Sequence, residues 1–164
     1  MRYAILGAMT CVCLSGLVQA QAPDPQIVAP ITRFMDAFNK GDAAGASATH
    51  AAAADLVIVD EVTPFTWHGE QAFKMWAADL ESSDKKLSIT DQHVAVGAPT
   101  RVESDGASAY VIVPTVYTFK QSGEAMRANA QMTLVLKKGP GGWLIHGWTW
   151  TGPRAQKVAG AARK

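Results

Sequence analysis

The chain has 164 residues, 48% hydrophobic and 18% charged, which suits one domain with an ordinary core and excludes an intrinsically disordered chain. Its formal charge is +1; without the first 22 residues, which hold Arg2 and no acid, 14 basic residues would face 14 acidic ones. A neutral domain has no electrostatic reason to hold nucleic acid or an anionic membrane surface.

The first 22 residues read as a secretory signal peptide. Arg2 precedes an apolar run from Tyr3 to Val18, and the small-residue motifs Val18-Gln19-Ala20 and Ala20-Gln21-Ala22 place cleavage after Ala20 or Ala22. An uncleaved anchor is the competing reading, but the run is short for a ~30 Å bilayer core. The expected location is therefore periplasmic or secreted, with no stable membrane anchor after processing. Cys11 and Cys13 both lie in this leader, and Ala8-Met9-Thr10-Cys11 is a poor and early lipoprotein signal, so the mature chain is expected to lack thiol chemistry.

After a Pro-rich linker, Ile27, Ile31, Phe34, Met35 and Phe38 recur at helical spacing, and Asn39-Lys40-Gly41 closes that helix. Asp42 can cap a second, Ala-rich helix predicted over Ala43 to Ala54, with His50 near its C-terminal end as a partly exposed structural residue. A short apolar strand, Leu56 to Val59, leads to Asp60-Glu61, turns through Pro64 and returns at Phe65-Thr66-Trp67. A third helix is predicted from His68-Gly69-Glu70 to about Leu80, ending at Ser82-Ser83-Asp84-Lys85.

From there the apolar period changes to two. Four antiparallel strands are expected over about 87–96, 107–120, 125–137 and 143–151, with turns at each Gly-containing break. Pro114 interrupts the second and implies a bend or bulge, hence a curved sheet. Residues 154–164 read as a polar tail, leaving 23–153 as the domain.

Three stretches carry a resemblance: Phe34 to Asp42 with its Asn-x-Gly-Asp ending, Trp67-His68-Gly69-Glu70-Gln71-Ala72, and Gly142-Trp143-Leu144-Ile145 leading to Trp148-Thr149-Trp150-Thr151-Gly152. In this order the chain resembles the NTF2-like superfamily, specifically its SnoaL-like and ketosteroid-isomerase-like branch (DUF4440-type). The resemblance implies an α+β cone in which three N-terminal helices pack on a curved antiparallel sheet and enclose a mostly apolar pocket. It also implies a homodimer through the convex sheet face, where Trp148 and Trp150 are expected. It implies no single activity, because the fold hosts many.

In the ketosteroid isomerases a carboxylate after the first strand moves the proton, while a Tyr and a protonated Asp hold the oxyanion. Asp60, or Glu61 one register on, matches the base. Phe34 stands where the Tyr would be, and Met132, or Gln131 one register away, where the acid would be, so that mechanism is disfavoured. The scytalone-dehydratase type uses a His/Asp pair, which makes Asp91 and His93, two apart on a strand, candidate catalytic residues; a polar pair on the solvated side is the alternative.

His68 reads as a capping or packing residue, and His146 shares an alternating row with Trp148 and Trp150. Neither these histidines nor any cysteine pattern shows metal-ligand spacing, and no phosphate loop or nucleophile elbow is present, so no metal and no cofactor is expected. The expected pocket lining is Phe34, Phe38, Trp67, Trp76, Tyr117, Gln131 and Thr149, suited to a small, mostly apolar ligand. Three functions stay open: small-molecule binding, proton transfer by Asp60 in an isomerase or dehydratase, and a non-catalytic dimeric interaction domain with a filled core.

Overall fold

The computed structural model describes residues 24–158. The predicted leader, 1–22, and the end of the predicted tail lie outside the described residues. Among the described residues no helix is long and apolar enough to cross a membrane.

Helix α1 (Pro25–Asn39) starts where the Asp24 carboxylate accepts from the Gln26 N–H, and Pro25 takes the first helical position, where a missing N–H costs no helical bond. Ile27, Ile31, Phe34 and Met35 are buried along one stripe. Helix α2 is only Ala43–Ser47, capped by Asp42 on the Gly45 N–H at 2.8 Å. The predicted continuation to Ala54 is overturned by pairing: the Thr49 carbonyl accepts from Ile145 N–H and the Ala51 N–H donates to Ile145, so the backbone is claimed by a strand. His50 is thus buried, not partly exposed.

Strands β1 (Val57–Val59) and β2 (Thr66–His68) form the expected hairpin. His68 belongs to β2, and helix α3 begins later, at Ala72, and runs to Leu87. Ser82 to Lys85 therefore lies inside α3 rather than ending it. The last turn carries Lys85 and Lys86, which complement the helix dipole.

The rest is sheet: β3 (Ile89–Val96), β4 (Arg101–Ser104), β5 (Ser108–Gln121), β6 (Glu124–Gly139), β7 (Gly142–Thr151) and β8 (Gln156–Lys157). The order is β2-β1-β7-β6-β5-β3, with β4 also on β5 and β8 on β6, in a curved, unclosed sheet. Two strands were not expected, β4 and β8; the latter pairs Met126 with Lys157 inside the predicted tail. Nor is the sheet wholly antiparallel, since β1 runs parallel to β7.

Pro114 causes no register shift: it pairs with Gln131 in an unbroken β5–β6 ladder. On its other side the neighbour changes from β3, which ends opposite Thr115, to β4, which begins opposite Ile112. The imide without an N–H sits in the gap between those two neighbours, where no ladder bond is asked of it, and its carbonyl takes the Gly97 N–H at 2.9 Å. The shifts occur elsewhere, between Thr90 and His93 on β3 and between Val135 and Leu136 opposite β7.

The second shift changes which face of β7 looks inward. Trp143 and Ile145 are buried, and beyond the shift Trp148 is buried instead of Thr149. Trp148 and Trp150 therefore lie on the concave side and cannot form the convex dimer surface assigned to them. The convex side carries Tyr110, Ile112, Val116 and Val135 instead.

Asn39 fastens α1 to the sheet. Its Nδ2 donates to the Val94 carbonyl at 2.9 Å and its Oδ1 accepts from the Val94 N–H at 2.8 Å. Asn39→Ala removes both bonds and strands two part-buried backbone groups, so it is expected to cost about 2–3 kcal/mol. A urea midpoint that falls at unchanged m-value would show this, and an unmoved midpoint would refute it.

Candidate functional site

A cavity of about 660 Å³ opens between α1, the β1–β2 hairpin, α3 and the concave sheet face. Its inner wall is aromatic and apolar: Phe34, Trp76, Met132 and Trp148 are all buried. Phe34 sits among rings, with centroids 4.7 Å from His50, 6.0 Å from Phe73, 6.2 Å from Trp76 and 5.9 Å from Trp148. Exposed Leu87 and Arg154 mark the rim.

Asp60 follows β1 directly and faces this cavity. Trp76 Nε1–H donates to its Oδ2 and the Glu61 N–H to its Oδ1, both at 2.7 Å, so each oxygen is held by one donor and keeps a lone pair free. Burial raises the Asp60 pKa and those two bonds pull it back only in part. Glu61 is raised by partial burial and by the Asp60 charge, with Arg154 acting the other way.

A second polar chain crosses the lining. Tyr117 Oη–H donates to Gln92 Oε1 at 2.5 Å, and Gln92 Nε2–H donates to Asp84 Oδ2 at 2.7 Å. The direction follows from Asp84: an ionised carboxylate only accepts, so the amide turns its NH₂ to Asp84 and its carbonyl to Tyr117, whose hydroxyl must then donate. Burial pushes the Tyr117 hydroxyl above its ordinary pKa, followed by the charges of Asp84, Glu61 and Asp60. Burial also raises Asp84.

Behind the wall, His50 Nδ1 lies 3.0 Å from the Ala46 carbonyl while its Nε2 accepts from Trp148 Nε1–H at 3.0 Å. These partners fix the neutral tautomer with the proton on Nδ1, and burial lowers its pKa to about 4. The histidine thereby orients one cavity tryptophan.

Of the residues expected in the site, Asp60, Phe34, Phe38, Trp76 and Tyr117 line the cavity. Asp91 and His93 do not: both are exposed, and Asp91 pairs with Lys120 at 2.7 Å. The irregularity between Thr90 and His93, with Asp91 at φ 54°, reverses the alternation and turns Ile89, Gln92 and Val94 inward in their place. Trp67 is buried against α3, its Nε1–H donating to Asp79 at 2.8 Å. Gln131 is exposed on the convex side, so of the two registers considered it is Met132 that faces in. Thr149 is displaced by the β7 shift.

Sequence reasoning missed Asp84, Gln92, Trp148 and Trp150 as lining. A signal for Asp84 existed, because Trp76, Leu80, Asp84 and Leu87 repeat at helical spacing. The strand residues carried none, since a one-residue irregularity leaves no mark in an alternating pattern. His68 faces solvent with Nε2 2.8 Å from the Thr66 hydroxyl, and His146 lies 3.3 Å from Asp55, away from the cavity. Among the described residues no three of His, Cys, Asp and Glu come together as metal ligands.

The SnoaL-like domain family model matches residues 27–148. No curated protein matches the chain. Among solved structures, an NTF2-like superfamily protein from Salmonella enterica serovar Typhimurium superposes with a TM-score of 0.66 at 15% identity, covering 84% of this chain and 95% of that one. A ketosteroid isomerase-like protein from Erwinia carotovora atroseptica gives 0.61 at 20% identity, covering 79% and 95%. A scytalone dehydratase-like neighbour, described as putative, from Novosphingobium aromaticivorans gives 0.64 at 10% identity, covering 84% and 89%. At these identities the structural likeness speaks for the fold alone. With the family model spanning most of the described chain and the NTF2-like cone fold beneath it, this chain belongs to the SnoaL-like domain family.

Proposed function

We propose that this is an exported domain that binds a small, mostly apolar organic molecule in the cone cavity, with Asp60 as its fixed polar anchor. The observation that carries the reading is the cavity of about 660 Å³, walled by tryptophans and holding a carboxylate clamped by Trp76 and the Glu61 backbone. A filled interaction core would leave no such space. Export rests on the leader read over residues 1–22.

A second reading, proton transfer by Asp60 as general base, draws on the upward shift that burial gives this carboxyl. It needs a donor for the developing negative charge. Phe34 and Met132 offer none, and the Tyr117 proton is committed to Gln92. Binding without this chemistry is the better supported of the two.

Native mass spectrometry of protein recovered from the periplasm tests the proposal. A mature mass beginning at Gln21 or Pro23, with a small molecule attached, is the expected result. Asp60→Asn keeps the side-chain shape and, through its one acceptor oxygen, the Trp76 bond, while its NH₂ cannot accept from the exposed Glu61 N–H; it is expected to fold with a small loss of stability and to lose most of the bound molecule. A variant that retains it at full occupancy would remove Asp60 from the site, because a residue that only closes a turn tolerates Asn.

A further inference from the structure

Asp60 and Asp84 present only acceptors, and the Tyr117 oxygen, having given its proton to Gln92, faces other partners as an acceptor too. The donors on the lining are one remaining Gln92 N–H, the Trp150 indole N–H, the Thr63 and Ser83 hydroxyls and two exposed cations, Lys86 and Arg154, of which Arg154 acts on the Glu61 charge. Asp60 and Asp84 have no cation: none of the six ion pairs among the described residues includes either of them.

Both carboxylates border the same space: Asp84 is joined to the Tyr117 hydroxyl through Gln92, and Asp60 faces the cavity from the end of β1. After the larger effect of burial, the charges of Asp84, Glu61 and Asp60 also act on the Tyr117 phenol. Removing two carboxylates from water without a counter-ion is costly, and a positive charge brought between them would offset that cost in a medium that screens poorly. Around the same space stand Trp76, Trp148 and Trp150, three of the five tryptophans in the chain. Trp76 and Trp148 cross at 88° with centroids 5.0 Å apart, and Tyr117 and Trp150 at 84° and 6.0 Å. Indole walls at right angles beside unpaired carboxylates are the surroundings in which an organic cation is bound, through the ring quadrupoles and charge together.

We infer that the ligand of this cavity is an organic cation, an amine carried on an apolar or aromatic body, with its nitrogen seated between Asp60 and Asp84 at the Tyr117 oxygen. This rests on the reading of the cavity as a ligand site and narrows it to one charge class. The apolar body occupies the wall of Phe34, Met132 and Trp148, and the ammonium supplies the counter-charge that Asp60 and Asp84 do not have among the described residues.

Three probes of one skeleton test it: 4-phenylbutylamine, 4-phenylbutanol and 4-phenylbutyrate, titrated calorimetrically into the full mature protein. The amine is expected to bind at least tenfold more tightly than the alcohol, and the acid most weakly. In Asp84→Asn the amine-to-alcohol ratio is expected to fall several-fold, with thermal melts checking that the variant is folded; Asp60→Asn supplies the same reading from the other side of the seat. Equal affinity for all three probes, or preference for the acid, would overturn the charge assignment and leave the cavity as a ligand site. No binding by any probe at millimolar concentration would overturn both. An unchanged ratio in both Asn variants would show that the preference arises elsewhere and would also sink the assignment.

Discussion

Acidification from pH 7 to pH 4 is expected to destabilise this domain by about 3 kcal/mol through His50 alone. The imidazole is buried and neutral, its Nδ1–H toward the Ala46 carbonyl and its Nε2 accepting from Trp148, and its folded pKa is about 4. In the unfolded chain it returns to about 6.5, so between the two values only the unfolded state takes up the proton. The contribution is therefore complete above about pH 6.5 and is lost progressively as pH falls toward 4. Asp60, Glu61 and Asp84 work in the opposite sense: their folded pKa values are raised, so protonation on acidification favours the folded state. Comparing urea unfolding of the native protein and His50→Gln across this range isolates the histidine, because the carboxylates are common to both. The native curve should fall more steeply by the stated amount; parallel curves would mean that His50 carries its proton in the folded state.

Phe34→Ala is expected to cost about 3–5 kcal/mol, the range for deleting a fully buried aromatic side chain. Phe34 is 1% exposed and stands between His50, Phe73, Trp76 and Trp148, so no single neighbour can swing in to refill its place. Phe34→Leu keeps much of the volume and should lose less than half as much. Both are read from chemical denaturation at neutral pH. A loss below about 1 kcal/mol for Ala would show that the ring cluster repacks freely.

The helix stripe from Ile27 to Phe38 and the β1–β2 hairpin were legible because their apolar spacing is local and regular. The end of α2 was not: Ala43 to Ala54 has a helical composition, and what unwinds it after Ser47 is Ile145, nearly a hundred residues away in sequence. The same limit governs the site. Asp60 could be placed because it ends a strand whose direction is plain, while Asp91 and Gln92 exchanged roles through one irregularity that alternation cannot register. Thr149 and Trp148 exchanged faces for the same reason on β7. Asp84 was within reach, and was lost by taking Ser82-Ser83 as a helix terminus when Leu87 still continued the inward row.

The Asn39 bridge to Val94 has a consequence beyond anchoring α1. β3 lies at a border of the sheet, and a border strand ordinarily offers a row of unpaired N–H and C=O groups on which a strand from another molecule can grow. At Val94 the Asn39 amide occupies both groups, donating and accepting as a neighbouring strand would. Two residues before His93, the bulge at Asp91 breaks the regular edge and sets a charged Asp91–Lys120 pair beside it. At the opposite border β2 is only three residues long. The other strand on the outer side of β5, β4, has only four residues. Among the described residues the free edges are thus short or interrupted, and along β3 one side-chain amide on a helix blocks the strand addition from which amorphous and fibrillar aggregates begin.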